Sequence, residues 1–204
     1  TPYHVTFDAM DHRFSSPSHI LLKNVTFGRD GKPATLVAKA VDIGLSSRQI
    51  TDPLHVDTIL LQDGTLNLSP SNAPLPFAAD RLQLSNMALN SPETGWDLSA
   101  QRVSGGVMPW APVAGNVLGT KAQIQMSAGS LTLNGVPATN VLIEGQLNGK
   151  EVVLKTIGAD MARGSLTGSA LRNADGSWII DTMRLNEIRL QSDKTLTAFF
   201  APLA

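Results

Sequence analysis

The stretch TNVLIEGQLNGKEVVLKT, residues 139–156, decides the fold because it has the pattern of a β-hairpin. Its Asn148-Gly149 pair favours a tight turn, since asparagine and glycine tolerate the positive φ that such turns require. The expected strand partners are then Leu147 with Lys150, Gly145 with Val152, Ile143 with Leu154 and Val141 with Thr156. Because side chains alternate along a strand, these residues share one face, which is mostly apolar.

The opposite face of this hairpin is mostly polar. It holds Asn140, Glu144, Gln146, Glu151 and Lys155, with Leu142, Val153 and Ile157 as apolar exceptions. A sheet with one polar face and one apolar face needs a cover on its apolar side. A shift of one residue would bring charges to that side, so we expect a well-defined register.

Similar turn signals recur along the chain. They are Asp30-Gly31, Asp63-Gly64, Asn134-Gly135, Asn148-Gly149 and Asp175-Gly176, and runs rich in Val, Ile, Leu and Thr separate them. This pattern predicts consecutive antiparallel strands. Residues 58–69 and 162–190 are expected to form further hairpins, the second with strands of about ten residues, or about 33 Å. Strands of that length favour a mainly β fold with a long, curled antiparallel sheet, an open groove or taco, and one or two short helices.

Few segments have helical signals. Residues 45–50 predict one helical turn, and the C-terminal stretch predicts a short helix. That helix would begin at Ser192 or Asp193 and have Leu196, Phe199, Phe200 and Leu203 as its apolar face. Residues 107–121 contain prolines and glycines and predict a loop. It would connect an N-terminal β lobe, residues 1–106, to a C-terminal β-meander lobe, residues 122–204.

Composition excludes several classes of protein. The chain has 204 residues, a net charge of −1, no cysteine and 5% aromatic residues. Nucleic-acid binding is not expected without a basic cluster, and the lack of cysteine removes disulfides and thiolate chemistry. The few aromatic residues disfavour a sugar-binding sandwich and the aromatic girdles of an outer-membrane barrel. No apolar run reaches a spanning length of about 18 residues, so we expect any membrane anchor to lie outside this segment.

The sequence offers no convincing catalytic site. The nearest approach to a metal cluster is Asp8, Asp11 and His12, for which a solvated turn is the favoured interpretation. Serine and threonine are abundant, but a G-x-S-x-G elbow, a P-loop and a dinucleotide fingerprint do not occur. We therefore predict a protein that is not an enzyme, without catalytic residues, metal or cofactor.

Two segments resemble the AsmA family of bacterial envelope proteins. The first is ILLKNVTFGRDGKPATLVAKAVDIGLSSRQI followed by HVDTILLQDGTLNL, within residues 20–68. Here an N-V pair lies between strands, a helical turn follows, and a D-G-x-L-x-L strand comes next. The second comprises GSLTLNGVPATNVLIEGQLNGKEVVL, residues 129–154, and ADMARGSLTGSALRN, residues 159–173.

This resemblance implies a periplasmic protein of a Gram-negative bacterium, tethered to the inner membrane by an N-terminal helix outside this chain. Related proteins of the TamB type are thought to bridge both membranes through an apolar groove in which phospholipid acyl chains slide. The phospholipid would then contact the apolar strand faces. The candidate groove residues are Leu131, Leu133, Val141, Ile143, Val152, Leu154, Ile59, Leu61, Leu66 and Leu68.

Two alternatives remain open at this point. The same apolar residues would also make the closed core of an ordinary β domain. Older descriptions of the family invoke outer-membrane protein assembly, which implies a scaffold acting through contacts with other envelope proteins. Free sheet edges could pair with another chain, and dimers through such edges are expected.

Overall fold

The computed structural model describes residues 3–13, 18–68, 75–93, 96–162 and 164–186. They form one sheet of 12 strands and one 3₁₀ turn, Ser47–Ile50. The strands are β1 Tyr3–Thr6, β2 Ala9–Arg13, β3 Ser18–Arg29, β4 Leu36–Leu45, β5 His55–Asn67, β6 Ala78–Glu93, β7 Trp96–Met108, β8 Lys121–Leu133, β9 Val136–Asn148, β10 Glu151–Met161, β11 Gly164–Arg172 and β12 Trp178–Asn186. The predicted mainly β fold is confirmed.

Strands β3 to β12 lie side by side in chain order, and β1 and β2 both pair with β3. All pairs are antiparallel except β5 and β6, which are parallel. The expected antiparallel sheet is thus a mixed sheet that contains one parallel pair. A parallel pair requires the chain to return along the sheet before the second strand begins. The last residues of this return, Leu75 and Phe77, pack against the core, and the Phe77 ring centroid lies 5.9 Å from that of Phe27.

The β9–β10 hairpin forms, but its register differs from the prediction. Asn148 pairs with Glu151 and Leu147 with Val152, two residues away from the partners expected. Gly149, with φ 65°, occupies the first loop position, where turns of the glycine-first type require positive φ. A shift of two residues leaves the side chains of residues 141–154 on their predicted faces, because the side-chain period of a strand is two.

Ile157 lies on the apolar face, whereas the sequence pattern placed it on the polar face. The β9–β10 register shifts between Leu154 and Thr156, so that Ile157 pairs with Ile143. Such a bulge reverses the alternation beyond it. Ile157 is buried as a result.

The Asp63-Gly64 pair is not a turn, and the hairpin predicted for residues 58–69 is wrong. Both residues lie inside β5, where Asp63 has φ 55°. A Cβ atom at Gly64 would overlap the Val37 carbonyl of β4. In contrast, Asn134 and Gly135, with φ of 49° and 82°, connect β8 to β9 as predicted.

The predicted helical turn at residues 45–50 is confirmed as a 3₁₀ turn with Ser46 as its N-cap. The predicted C-terminal helix lies outside the described residues. Strand β7 extends to Met108, so the predicted loop at 107–121 begins two residues later than expected. The sheet continues directly from β7 to β8, and the division into two lobes stays a prediction.

Candidate functional site

Within the part of the chain that the structure describes, five non-glycine residues inside strands have left-handed backbone. They are Asn24, Asp63, Asn86, Arg102 and Asn140, with φ of 52°, 55°, 51°, 52° and 49°. This conformation is uncommon for residues with a side chain, and asparagine and aspartate adopt it most readily. We call this group the crease.

The crease residues form a row across the sheet. The residue after each crease residue lies at a position that faces the buried, inward side of the sheet. These five residues, together with Ala38 of β4 and Ala128 of β8, form one continuous series of cross-strand pairs. The pairs are Val25 with Ala38, Ala38 with Gly64, Gly64 with Met87, Met87 with Val103, Val103 with Ala128 and Ala128 with Val141. The row therefore runs from β3 to β9 and crosses every strand between them.

The alternation of side chains is interrupted at this row. Inward-facing positions two apart elsewhere are three apart at the row. The pairs are Leu22 and Val25, Ala38 and Val41, Leu61 and Gly64, Leu84 and Met87, Ala100 and Val103, Ala128 and Leu131, and Ala138 and Val141. Without the interruption, one half of each strand would turn its apolar side chains to the opposite face. We call the face on which these inward-facing side chains lie the apolar face. It is continuous over both halves of the strands, on either side of the crease.

The centre of the apolar face is well buried. Val25, Ala38, Met87 and Val103 are all buried, and Met87 is 0% exposed. Side chains from both halves of the strands pack on this centre, including Ile43, Leu66, Leu89, Leu131 and Ile143, which are themselves partly exposed. Most inward-facing positions along the crease are thus buried.

The outer side of the crease is polar and hydrogen-bonded. The amides of Asn24, Asn86 and Asn140 donate to Asp8, Asp63 and Asp160, each over 2.9 Å. The Arg102 side chain lies over Gly129, where a Cβ atom would overlap its guanidinium group. Each Asn–Asp bond connects the crease residue to a neighbouring segment, and a bond of this kind stabilises its local conformation by about 1 kcal/mol.

The loop of residues 109–120, called here the Trp110 loop, closes one end of the apolar face. Trp110 packs with Ala79, Val107 and Ala122, and all four are buried. Its backbone exchanges two hydrogen bonds of 2.9 Å with Ala79. Its indole Nε1 donates to the Val117 carbonyl over 2.8 Å. The indole therefore fixes the loop to the sheet and satisfies its own polar atom.

A charged cluster lies at the same end of the sheet. The Asp80 carboxylate accepts hydrogen bonds from His55 Nε2 and Arg48 Nη1, both at 2.8 Å. The His55 hydrogen bond and the nearby Arg48 charge lower the pKa of Asp80 below its usual value, against a smaller effect of burial. Elsewhere, hydrogen bonds from Ser177 lower the pKa of Asp175 in the β11–β12 turn.

The remaining candidates for chemistry lie apart from the apolar face. His4 contacts Asp30 at 2.6 Å and His19 contacts Asp42 at 2.8 Å, at the sides of the sheet. Among the described residues, His, Asp and Glu form no group of three or more with metal-binding geometry. No helix within these ranges is long and apolar enough to cross a membrane. That the protein is not an enzyme stays a prediction.

Comparison with known proteins gives one informative relative. The chain is 71% identical over 201 residues to the AsmA family protein YicH of Escherichia coli (strain K12), and the match covers 98% of the chain. The chain belongs to the AsmA family. The match spans 35% of the length of that relative. No protein-family model matches the chain. No solved structure matches it either. Membership of the AsmA family supports a role associated with the cell envelope.

The strand register places nine of the ten candidate groove residues of this AsmA segment on the apolar face, and the tenth, Leu68, lies directly after β5. Leu61, Leu133 and Val141 are buried there, with 6%, 7% and 5% exposure. The other seven are half-buried: Ile59, Leu66, Leu68, Leu131, Ile143, Val152 and Leu154. Contact between these residues and lipid stays a prediction.

Sequence reasoning did not identify the crease or the anchoring role of Trp110. The signal for the crease is a mid-strand Asn or Asp directly before a buried position, as in Asn24-Val25, Asn86-Met87 and Asn140-Val141. Two of these are the N-V pairs on which the resemblance to the AsmA family rested. Arg102 carries no such signal, because arginine has no special preference for left-handed backbone.

Proposed function

We propose that this AsmA segment is a non-catalytic, periplasmic part of an inner-membrane-anchored protein that holds or conducts phospholipid acyl chains. The transport would support outer-membrane homeostasis. The continuity of the apolar face across the crease is the observation that carries this proposal. It gives an apolar surface along whole strands, of which β6 has 16 residues and is therefore roughly 50 Å long.

The composition of the apolar face suits an acyl chain. The partly exposed side chains packed around the crease are apolar, so no fixed charge would hold a lipid at one point; they include Ile43, Leu66, Leu89, Leu131 and Ile143. Transfer of each CH₂ group out of water is favourable by about 0.8 kcal/mol. A partly covered chain would therefore bind, while its headgroup stayed in water.

A matched pair of variants tests this proposal. Ile143 lies on the apolar face, and its neighbour Leu142 lies on the opposite face. The protein would be expressed into the periplasm and subjected to native mass spectrometry and lipid extraction. Phospholipid should co-purify with the wild type and with Leu142→Glu, and it should be lost from Ile143→Glu.

Circular dichroism separates loss of binding from loss of folding. If Ile143→Glu does not fold, Leu154→Glu replaces it, with Val153→Glu as its control on the opposite face. Leu154 is half-buried and, unlike Ile143, is not among the residues that pack on the cluster around Met87. A wild-type protein free of lipid, or equal lipid in both members of a folded pair, would refute the proposal.

A scaffolding function is favoured by one separate observation. Within the described residues, β12 is the last strand of the sheet, and its adjacent residues Ile179 and Ile180 are 52% and 43% exposed. Such an edge can accept a further strand from another envelope protein or from a second copy. A concentration-dependent dimer that Ile179→Lys and Ile180→Lys disrupt, in a lipid-free protein, would support this function instead.

A further inference from the structure

Five large apolar side chains are exposed at one end of the sheet. They are Ile50, Leu54, Met108, Val113 and Val117. Ile50 and Leu54 lie in the β4–β5 connection, Met108 ends β7, and both valines lie in the Trp110 loop. Exposed aliphatic side chains concentrated in loops at one end indicate an interaction surface rather than scattered surface residues.

The two loops are neighbours on either side of the start of β6. The Leu54 carbonyl accepts a hydrogen bond of 3.0 Å from Ala78 N–H, and the next residue, Ala79, bonds to Trp110. Arg48, in the β4–β5 connection, contacts Asp80 of the same strand. The surface is therefore supported by β6 and is held together by hydrogen bonds and an ion pair.

The tip of the Trp110 loop, residues 113–117, is exposed throughout. Val113 and Asn116 exchange two backbone hydrogen bonds of 3.0 Å. These bonds satisfy backbone groups that would otherwise be costly to bury in hydrocarbon. The whole stretch from Val103 to Thr120 contains no charged residue.

We propose that the Trp110 loop docks on the surface of a phospholipid bilayer, with Val113 and Val117 entering its hydrocarbon edge. An uncharged, aliphatic tip on an anchored base suits a lipid layer. A surface that binds another protein is more often enriched in aromatic and arginine side chains. This inference rests on the proposed function, because Trp110 and Leu118 pack on Ile59, Leu82 and Ile124 of the apolar face. The loop would thus bring the end of that face to the membrane.

A fluorescent label at the loop tip tests the docking directly. The chain contains no cysteine, so Val113→Cys provides a single site for an environment-sensitive dye. Val37→Cys is the matched control, since Val37 is 45% exposed and Val113 41%, and Val37 lies on β4 away from the loop. With phosphatidylcholine vesicles, the emission at position 113 should shift to the blue, and the emission at position 37 should not change.

Vesicle flotation gives a second, label-free measurement. The double variant Val113→Asp, Val117→Asp should lose at least roughly tenfold in partitioning, because it replaces both aliphatic side chains that enter the apolar phase with carboxylates. The variants Val5→Asp and Val37→Asp, both at exposed valines elsewhere, should float like the wild type. Binding that needs anionic phosphatidylglycerol and disappears in high salt would overturn the inference. Equal flotation of all variants would also overturn the inference. The same holds if the wild type does not bind vesicles and captures a protein instead.

The loop and the acyl-chain surface can fail independently. If the loop docks but the proposed function is wrong, the wild type floats with vesicles and yet carries no extractable phospholipid. If the proposed function is right but the loop does not dock, lipid co-purifies while the dye at position 113 reports no change on vesicles.

Discussion

The Asn86 side-chain amide donates a hydrogen bond of 2.9 Å to the Asp63 carboxylate, and both residues have left-handed backbone in adjacent strands. The bond therefore couples two neighbouring interruptions of the side-chain alternation. Asn24 and Asn140 make comparable bonds to Asp8 and Asp160. The crease is thus stabilised on its polar side, while most inward-facing positions beside it are buried.

Replacement of Asn86 tests the energetic importance of the crease. Asn86→Ala removes the bond to Asp63 and places a Cβ-bearing residue without local hydrogen bonding in left-handed backbone. We expect a loss of about 2 kcal/mol in the free energy of unfolding, combining roughly 1 kcal/mol from each effect. Asn86→Gly removes the same bond but relieves the backbone, so its loss should be smaller. Urea unfolding measures both, and an alanine variant no less stable than the glycine variant would contradict this explanation.

Two glycines provide a test of the close strand approach. Gly64→Ala would bring a Cβ atom onto the Val37 carbonyl, whereas at Gly158 the nearest atom, Leu142 Cβ, lies 4.0 Å away. Overpacking against backbone typically costs about 1–3 kcal/mol and sometimes more. Gly64→Ala should therefore lower the melting temperature or abolish folding, while Gly158→Ala should have little effect. Similar melting temperatures for the two variants would show that β4 and β5 can separate at the crease.

The Trp110 indole should contribute substantially to stability. Trp110→Ala removes a buried ring and its hydrogen bond to Val117, for which we expect a loss of about 3–5 kcal/mol. Trp110→Phe retains much of the packing and loses only part of this stability. Denaturant unfolding followed by circular dichroism measures both variants. A small effect of Trp110→Ala would mean that the loop is not fixed to the sheet through this ring.

Asp80 should contribute stability that depends on pH. Its pKa is lowered below its usual value, chiefly by the His55 hydrogen bond. A lowered pKa in the folded state means that the contribution is present above the unfolded pKa and is lost as the pH falls through the folded pKa. The difference in melting temperature between wild type and Asp80→Asn should therefore be constant near neutral pH and should close below about pH 4.

The Asp80 effect should be modest, because its side chain is 53% exposed and solvent screens such pairs. The His55→Gln background supplies the control. There the effect of Asp80→Asn should shrink at every pH. An undiminished effect would assign the stabilisation to Arg48 rather than to His55.

The turn and strand pattern was predictable where local chemistry dominates. Asn134 and Gly135 both have positive φ. Because few residue pairs tolerate this conformation, an Asn-Gly pair is a strong sequence signal for such a turn. Asp63-Gly64 has the same sequence signal but lies in mid-strand. There, tertiary pairing with β4 and β6 satisfies the backbone on both sides and overrides the local preference for a turn.

The location of the candidate site was only partly predictable. The sequence pattern placed Ile59 and Leu61 on the same face as Leu66 and Leu68 by assuming a hairpin between them. In the structure these residues belong to one stretch of chain, and the interruption of the alternation at Asp63 keeps them on one face. The parallel pairing of β5 and β6 leaves no signal in the local sequence. It depends on a contact between Phe77, just before β6, and Phe27, which lies far from it in the sequence. The anchoring of the Trp110 loop is likewise a long-range contact.

Photochemical labelling with a phospholipid that carries a diazirine on its acyl chain would measure directly whether the apolar face is one lipid surface. After irradiation, mass spectrometry of proteolytic peptides would locate the attachment sites. We expect attachment at apolar-face residues on both sides of the crease, such as Ile59 and Leu66 within β5, and little at Leu60 or Thr65 between them. Attachment confined to one half of the strands, or spread equally over both faces, would contradict a continuous acyl-chain surface across the crease.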